Sequence, residues 1–572
     1  MTSSTTVNHW DEEVDLLVIG AGAGGMTAAL VAKLSGLDVL VCEKTTQVGG
    51  TAATSAGTVW IPGNSQSTDA GWHDSPQVAR EYMRALTGGA AETPLLDAFF
   101  ETGPSVIDYL RQHTDVQFVP SGKHPDYKDL QGAAVFGRTL APAPFDGRLL
   151  GADFARVRPP LPEFMVLGGM MVGKEDIPKL INRFRSFANF LHAAKLFTRY
   201  VSDRLRYARG TRVTMGNALV ARLYFSLKQN QVKVSFESVL SDLVTENGSV
   251  VGALVESAEK IRRIRARRGV VLATGGYGHS QRLRRKFMLS PTPKYSVAHQ
   301  GNTGDGIEIG LRHGGFAAPE RHGSGAFWTP VSVVRRPDGS EGVFPHLSLD
   351  RAKPGLIAVN SAGRRFVNEG ASYHDFVEAM YASHRQSPTI PAYLICEADF
   401  VKKYGLGYIH PGTASLKDYE RNGYLLTAPT LEALARRLSI DANTLIATVD
   451  RANGFARSGI DSDFGKGSTE LSRFNGDPAN KPNPCLGPIE RGPFVALALW
   501  PAEIATSTGL QTDADGRVLD PGERAINGLY ACGNDMASIM LGTYPGPGTT
   551  LGPAITFGYR VARHAATQST SA

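Results

Sequence analysis

The chain has 572 residues, 42% hydrophobic and 20% charged, enough apolar material to offset chain entropy, which excludes a disordered chain and leaves room for several domains. Its formal charge of +6 is mild for this length, and without any recognised basic module it argues against a nucleic-acid partner. The cysteines, Cys42, Cys396, Cys485 and Cys532, include no CxxC pair, so neither a disulfide scaffold nor a cysteine-rich zinc site is expected, and a reducing compartment suits them.

Met1 to Glu13 is polar and acidic, without the basic start and apolar core of a secretory signal. No run of eighteen apolar residues follows anywhere, so the reading is a cytoplasmic chain that spans no membrane. Asp15 to Gly20 (DLLVIG) is a short apolar strand that breaks into glycine-rich chain, then a helical pattern from Met26 to Leu34, then a second strand, Val39 to Cys42, ending on Glu43. This is G-x-G-x-x-G in its strand–turn–helix setting, with an acid about twenty residues on. Gly20 allows the tight turn, Gly22 lets backbone approach a pyrophosphate, Gly25 lets helix and strand pack closely, and Glu43 can accept from a ribose hydroxyl. The next run, Val48 to Gly57, offers small residues and hydroxyls where a bulky ring would lie against backbone: Gly49, Gly50, Thr51, Ser55, Ala56 and Gly57. That points to a flavin rather than a nicotinamide.

Within a helical insertion at about 160–212, the stretch Lys179 to Arg212 carries nine Lys or Arg and one acid, Asp203. Phe184, Phe187, Leu191, Ala194, Phe197, Val201 and Leu205 recur at three- and four-residue steps. The pattern predicts one or two amphipathic basic helices with a core-facing apolar side, the alternative being a peripheral membrane contact through about 179–212. A meander from Val232 to Glu256 precedes a second strand and glycine turn, Val270 to Gly276, which supplies Ala273, Thr274 and Gly275 as cofactor contacts. A third, Gly528 to Asn534 (GLYACGN), supplies Gly533 and Asn534, ahead of a last helical run from Leu551 to Ala565. The expected architecture is therefore α/β: a Rossmann-like dinucleotide domain assembled from discontinuous segments (1–313 and 492–572), with an inserted α+β capping domain at 314–491. His410, in a loop of the capping domain, is the reserve acid or base.

These features together resemble the fumarate reductase/succinate dehydrogenase flavoprotein superfamily from about Asp15 to Ala565, the basic stretch excepted. Covalent members attach flavin through a histidine in the N-terminal loop; none lies between Thr45 and Gly71, which implies non-covalent FAD. Dicarboxylate reductases carry histidine and arginine in the C-terminal loop, whereas this chain reads Gly542-Thr543-Tyr544-Pro545-Gly546-Pro547-Gly548-Thr549-Thr550-Leu551. The YPGPG run is similar to 3-ketosteroid Δ1-dehydrogenases, as are His124-Pro125-Asp126-Tyr127, Ile357 to Asn360, Gly363 to Phe366, and Asn368-Glu369 followed by Tyr373. Where that family often has a GTKGG-like segment, this chain has Ala505-Thr506-Ser507-Thr508-Gly509.

The resemblance implies a desaturation beside a ring ketone. Tyr544 through its hydroxyl and Gly548 through its N–H would hold the ketone oxygen, Tyr373 would take the proton from the alpha carbon, and Tyr127 would favour the phenolate of Tyr373. Flavin N5 would accept hydride, and the helix beginning near Thr550 and Leu551 would direct its positive end at the flavin. Glycine at 548 would let substrate approach the backbone. No metal is required, and the electron acceptor is unspecified. The alternatives are a monocyclic ketone desaturase of the 4-oxocyclohexane carboxylate type, with Arg364 or Arg365 binding the carboxylate, a fumarate-reductase-like dicarboxylate reductase, and a flavin-binding sensor or membrane-associated scaffold without turnover.

Overall fold

The computed structural model describes residues 9–568 apart from 91, 92, 174, 175, 259, 318–323, 337, 348 and 349. The polar start up to residue 8 and the chain beyond 568 lie outside the described residues. The strand Glu12–Ile19 becomes buried on both faces towards its end, which is why its sequence is a continuous apolar run rather than an alternation. It lies parallel to Val39–Cys42 on one side and to Ile261–Leu272 on the other. Ala525–Ala531 runs parallel to Ile261–Leu272, and Lys233–Ser235 extends the opposite edge. With the antiparallel strands Val239–Glu246 and Ser249–Glu256, and a short edge strand Arg517–Leu519, this makes an eight-stranded sheet. Segments far apart in sequence thus share one largely parallel sheet, as expected.

The register decides where the glycine turns emerge. Ile19 pairs with Cys42 and Leu272, and Leu272 pairs with Ala531, so the four strands end level and their following turns crowd one edge of the sheet. That carboxyl edge is where open parallel sheets bind ligands. The first helix, Ala23–Leu34, and the last, Leu551–Thr567, pack closely over it because a Cβ on Gly558 would stand 2.6 Å from the carbonyl of Gly24.

A second, seven-stranded sheet is built around the long strand Phe494–Thr506, which pairs with Ala326–Arg335, Ala392–Glu397, Leu426–Ala428 and Tyr295–Ser296. The expected boundary at 491/492 falls just before this strand, at a Gly-Pro pair that reads as punctuation. Hydrogen bonding nevertheless places the strand at the centre of the second sheet. Its apolar faces are covered by separate core clusters, one including Trp328 and Phe376 and another Leu434 and Val449.

The basic stretch forms two helices, Asp176–Ile181 and Phe187–Arg204. Here the expectation of a core-facing apolar side is corrected. Phe184, Phe187 and Leu205 are 80%, 79% and 83% exposed, and Phe190, Leu191, Phe197 and Val201 are exposed too. The buried residue of the long helix is instead Asp203, which accepts from the N–H and hydroxyl of Thr211 at 2.8 Å each. The helix is anchored by its polar face: Arg199 pairs with Asp146 at 2.8 Å, while His192 and Arg212 both bond Asp176 at 2.9 Å. Periodicity identifies an apolar stripe but carries no information about which side faces protein.

Candidate active site

One elongated cavity follows the carboxyl edge of the first sheet and continues beneath the second. Gly20 has φ +106°, and a Cβ there would meet the carbonyl oxygen of Ala273 at 2.3 Å; a Cβ on Gly25 would meet the carbonyl oxygen of Gly20 at 2.1 Å. Gly22, by contrast, faces open space, as do Gly50 and Gly533. The first two glycines are required by the protein, and the other three leave room for a ligand against backbone. Gly22 caps the helix Ala23–Leu34 with no side-chain bond, leaving the first-turn N–H groups to an anion.

Glu43 accepts from the N–H of Ala21 at 3.0 Å and from the N–H and hydroxyl of Thr45 at 2.9 and 2.8 Å, so it braces the fingerprint turn from the cavity wall. Thr51 accepts from the N–H of His299 at 2.9 Å and the amide of Asn302 at 3.0 Å, while Ser55 bonds Ala52 and Gly57. Gly49, Ala56, Gly57, Ala273, Thr274, Gly275, Asn534, Thr550 and Leu551 line the same cavity. An unanticipated residue ties the two later turns together. Asp535, fully buried, accepts from the hydroxyl of Thr274 and the N–H of Gly276, each at 3.0 Å. The lining of this half fits FAD: a run of bare glycine backbone, an uncapped helix start, and small residues where an isoalloxazine would lie.

At the other end three phenols converge. Tyr127 Oη donates to Tyr373 Oη at 3.0 Å; the ring of Tyr544 stacks on Tyr127 at 5.5 Å and meets Tyr373 edge-on at 5.3 Å. All three line the cavity, and burial pushes each well above the ordinary phenol range. Tyr373 is the first residue of the helix Tyr373–His384, whose N-cap Ser372 accepts from the N–H of Asp375. Tyr127 is held to the YPGPG loop by its N–H, which donates to the carbonyl of Pro545 at 2.9 Å, and Tyr82 donates to the same oxygen at 2.8 Å. Beside it, Asp126 accepts from Trp60 Nε1 at 2.9 Å and from Arg138 at 2.6 Å, and Arg138 also holds Asp74 at 3.0 Å. This buried ion network fixes the loop that carries Tyr127.

Gly548 lines the cavity with φ +102° and an N–H given to no group among the described residues. The reason for glycine differs from the expected one. A Cβ would stand 2.5 Å from the backbone nitrogen of Trp60, so the residue is small to pack against the strand Val59–Trp60 rather than to admit substrate. His410 is exposed and does not line the cavity, which removes it as acid or base. Arg364 is exposed away from the cavity, and Arg365 is locked to Glu369 and Asp461 at 2.8 Å each, so neither is placed to bind a carboxylate there. Leu161, Phe164, Pro345, Leu347, Leu471 and Phe474 give the cavity an apolar lining, with His124, Ser372 and Asn475 among its polar members. Phe164 belongs to the insertion and packs on Phe344 at 5.4 Å, a contact that no sequence pattern signals.

Residues 15–551 match the FAD binding domain family. The chain is 38% identical to 3-oxosteroid 1-dehydrogenase of Mycobacterium tuberculosis, covering 98% of this chain and 99% of that one. It is 36% identical to 4-oxocyclohex-2-ene-1-carboxylate 5-dehydrogenase of Sinomonas cyclohexanicum, over 96% and 93% of the two chains. The crystal structure of 3-ketosteroid delta1-dehydrogenase from Sterolibacterium denitrificans in complex with 1,4-androstadiene-3,17-dione superposes with a TM-score of 0.89 at 36% identity, covering 97% of this chain and 99% of that one.

Proposed function

The chain belongs to the FAD-binding 3-ketosteroid Δ1-dehydrogenase family, and on that footing we propose that it introduces a double bond beside the ring ketone of a 3-ketosteroid. The observation that carries this reading is the convergence of Tyr127, Tyr373 and Tyr544 at one end of a cavity with an apolar lining, whose other end is glycine backbone. FAD, when bound, supplies the two-electron acceptor for the hydride that leaves the beta carbon. Tyr544 Oη and the N–H of Gly548 donate to the ketone oxygen. Both are fixed before substrate arrives, so once an apolar ring displaces water from the site they act strongly on the negative charge that develops as the alpha proton leaves. Tyr373 takes that proton. A phenol pushed up by burial, and further by its neighbour Tyr127, is mostly protonated at neutral pH, so the reaction draws on a small phenolate fraction, which the hydroxyl of Tyr544 favours.

The steroid is preferred over a monocyclic keto acid because, among the described residues, no Lys or Arg lines the phenol end, while Lys44 lines the dinucleotide end and pairs with Asp305. A carboxylate entering there would lose its hydration with no Lys or Arg on that wall to pair with. The same lack disfavours a dicarboxylate reductase. Anaerobic mixing with androst-4-ene-3,17-dione and with 4-oxocyclohexane carboxylate tests the choice. Bleaching of the flavin band by the steroid alone is expected; bleaching by the keto acid alone would reverse it.

Two finer readings accompany this one. FAD is held non-covalently, since the loop from Thr45 to Gly71 has no histidine, and acid precipitation would then release all the flavin into the supernatant. The insertion rests on a bilayer: its exposed Phe184, Phe187, Leu191, Phe197 and Leu205 lie among Lys179, Arg183, Arg185, Lys195, Arg204 and Arg206, all exposed. Apolar area for the acyl boundary and cations worth about 1 kcal/mol each near anionic headgroups suit such a surface. Among the described residues no helix is long and apolar enough to cross a membrane. Co-sedimentation with phosphatidylglycerol vesicles but not with phosphatidylcholine vesicles is the expected result.

A further inference from the structure

Arg351 is buried behind the turn that presents Tyr373. Its Nε donates to the carbonyl of His346 at 3.0 Å and Nη2 to that of Leu347 at 2.9 Å. Nη1 donates to the carbonyls of Glu369 at 2.9 Å and Ala371 at 3.2 Å, within the turn that leads into Ser372 and Tyr373. Every one of these acceptors is a neutral carbonyl. The neighbouring carboxylates bond other groups: Asp350 holds His346 at 2.6 Å and accepts from the backbone N–H of Arg351 at 2.8 Å, Glu369 holds Arg365 at 2.8 Å and Lys466 at 3.8 Å, and Asp375 holds Lys128 at 2.8 Å. The guanidinium lies over Phe376 at 4.9 Å, on the helix that Tyr373 begins. Stability alone would not select a cation there, because the backbone dipole already makes that helix end positive.

We propose that Arg351 is a positioning residue for the base, bridging the His346–Leu347 segment to the turn before Tyr373 and setting a positive charge, on a guanidinium that bonds no carboxylate, behind the phenol that must lose its proton. This rests on the reading of Tyr373 as the base. Burial pulls Arg351 down only to about 10, so it stays charged at neutral pH. Around Tyr373, burial opposes ionisation most and Tyr127 adds to it, whereas Tyr544 and Arg351 favour it. The other charged or titratable groups facing this corner are His374, the Asp375–Lys128 pair and, behind Tyr127, the Asp126–Arg138 pair. Lowering the phenol's pKa by one unit gives about tenfold more phenolate at neutral pH and forfeits less than that in basicity, so the net effect is a faster proton abstraction.

The test follows anaerobic flavin reduction by androst-4-ene-3,17-dione from neutral to alkaline pH in the holoenzymes of the parent, Arg351→Gln, Arg351→Lys and Tyr373→Phe. In Arg351→Gln the rising limb moves up by about one pH unit or more, with FAD content and affinity for 1,4-androstadiene-3,17-dione unchanged. Arg351→Lys keeps the charge and stays within about half a unit of the parent. A profile for Arg351→Gln that superimposes on the parent's, or a loss of rate with the limb unmoved, overturns the proposal. Should Arg351→Gln not fold, Arg351→Lys decides: a limb near the parent's at most of the rate supports the inference, and a deep loss without a shift refutes it. Near-normal reduction by Tyr373→Phe would instead remove the base reading itself, whereas an inert Tyr373→Phe beside unshifted Arg351 variants would remove the role of Arg351 alone.

Discussion

The two ends of the cavity are built by opposite means. The dinucleotide end is backbone: glycine turns following Ile19, Leu272 and Ala531, aligned by the register of a parallel sheet. The phenol end is side chain: Tyr127 from a loop, Tyr373 from a helix start and Tyr544 from a second loop, brought together by the ion network under Asp126, the bonds to Pro545 and the packing of Phe327 on Tyr544. A backbone site tolerates change of composition but no added atoms, while a side-chain site tolerates added atoms nearby but no loss of its reacting oxygens.

The sharpest way to break that contrast is Gly22→Val. Its side chain would fill open cavity rather than clash with protein, so a folded apoprotein with no flavin absorbance and no activity is expected. A yellow, active variant would mean that the pyrophosphate is not held there. Next comes Tyr373→Phe, which should keep FAD and lose about 10²–10⁴ in the rate of flavin reduction, the usual worth of a positioned general base. In the parent that rate should climb with pH, because a base must be deprotonated to act and burial holds this phenol well above its ordinary range. A flat profile into the alkaline range would contradict it. If Tyr544 donates to the developing oxyanion as proposed, Tyr544→Phe should cost about 10²–10³ in the same assay, or about 3 kcal/mol.

Smaller effects probe the supports. Arg138→Met leaves Asp126 and Asp74 buried without their cation, and denaturant unfolding should report a loss of about 3–5 kcal/mol with FAD still bound in the folded fraction. The least effect is expected on the insertion. Replacing Phe184, Phe187 and Leu205 by Ser removes exposed groups, so stability and turnover of soluble substrate should hold, each change within about 0.5 kcal/mol, while retention on anionic vesicles falls. A steep drop in melting temperature would show instead that these side chains pack against protein.

Much of the dinucleotide end was legible because its signals are local. The spacing of Gly20, Gly22 and Gly25 marks a tight turn, and the distances show Gly20 and Gly25 packed against backbone while Gly22 faces open cavity. Asp535 carries no signal in the sequence, because a buried acid bonded to two turns looks there like any polar residue after a strand. The tyrosines became readable through a motif resemblance, since eighteen tyrosines offer no other ground for choosing three. Arg351 had no such flag, and its partners are carbonyls, which every residue has.

The sequence by itself determined the α/β class, the cofactor turn and the existence of an apolar stripe in the insertion, because strand runs, glycine spacing and helical periodicity are properties of neighbouring residues. Only the tertiary structure decided that the stripe faces outward, that Phe494–Thr506 is the spine of the second sheet, and that glycine at 548 serves the strand Val59–Trp60. Each of those depends on what lies across a gap from the residue in question, and packing partners distant in the chain leave no periodic trace in it.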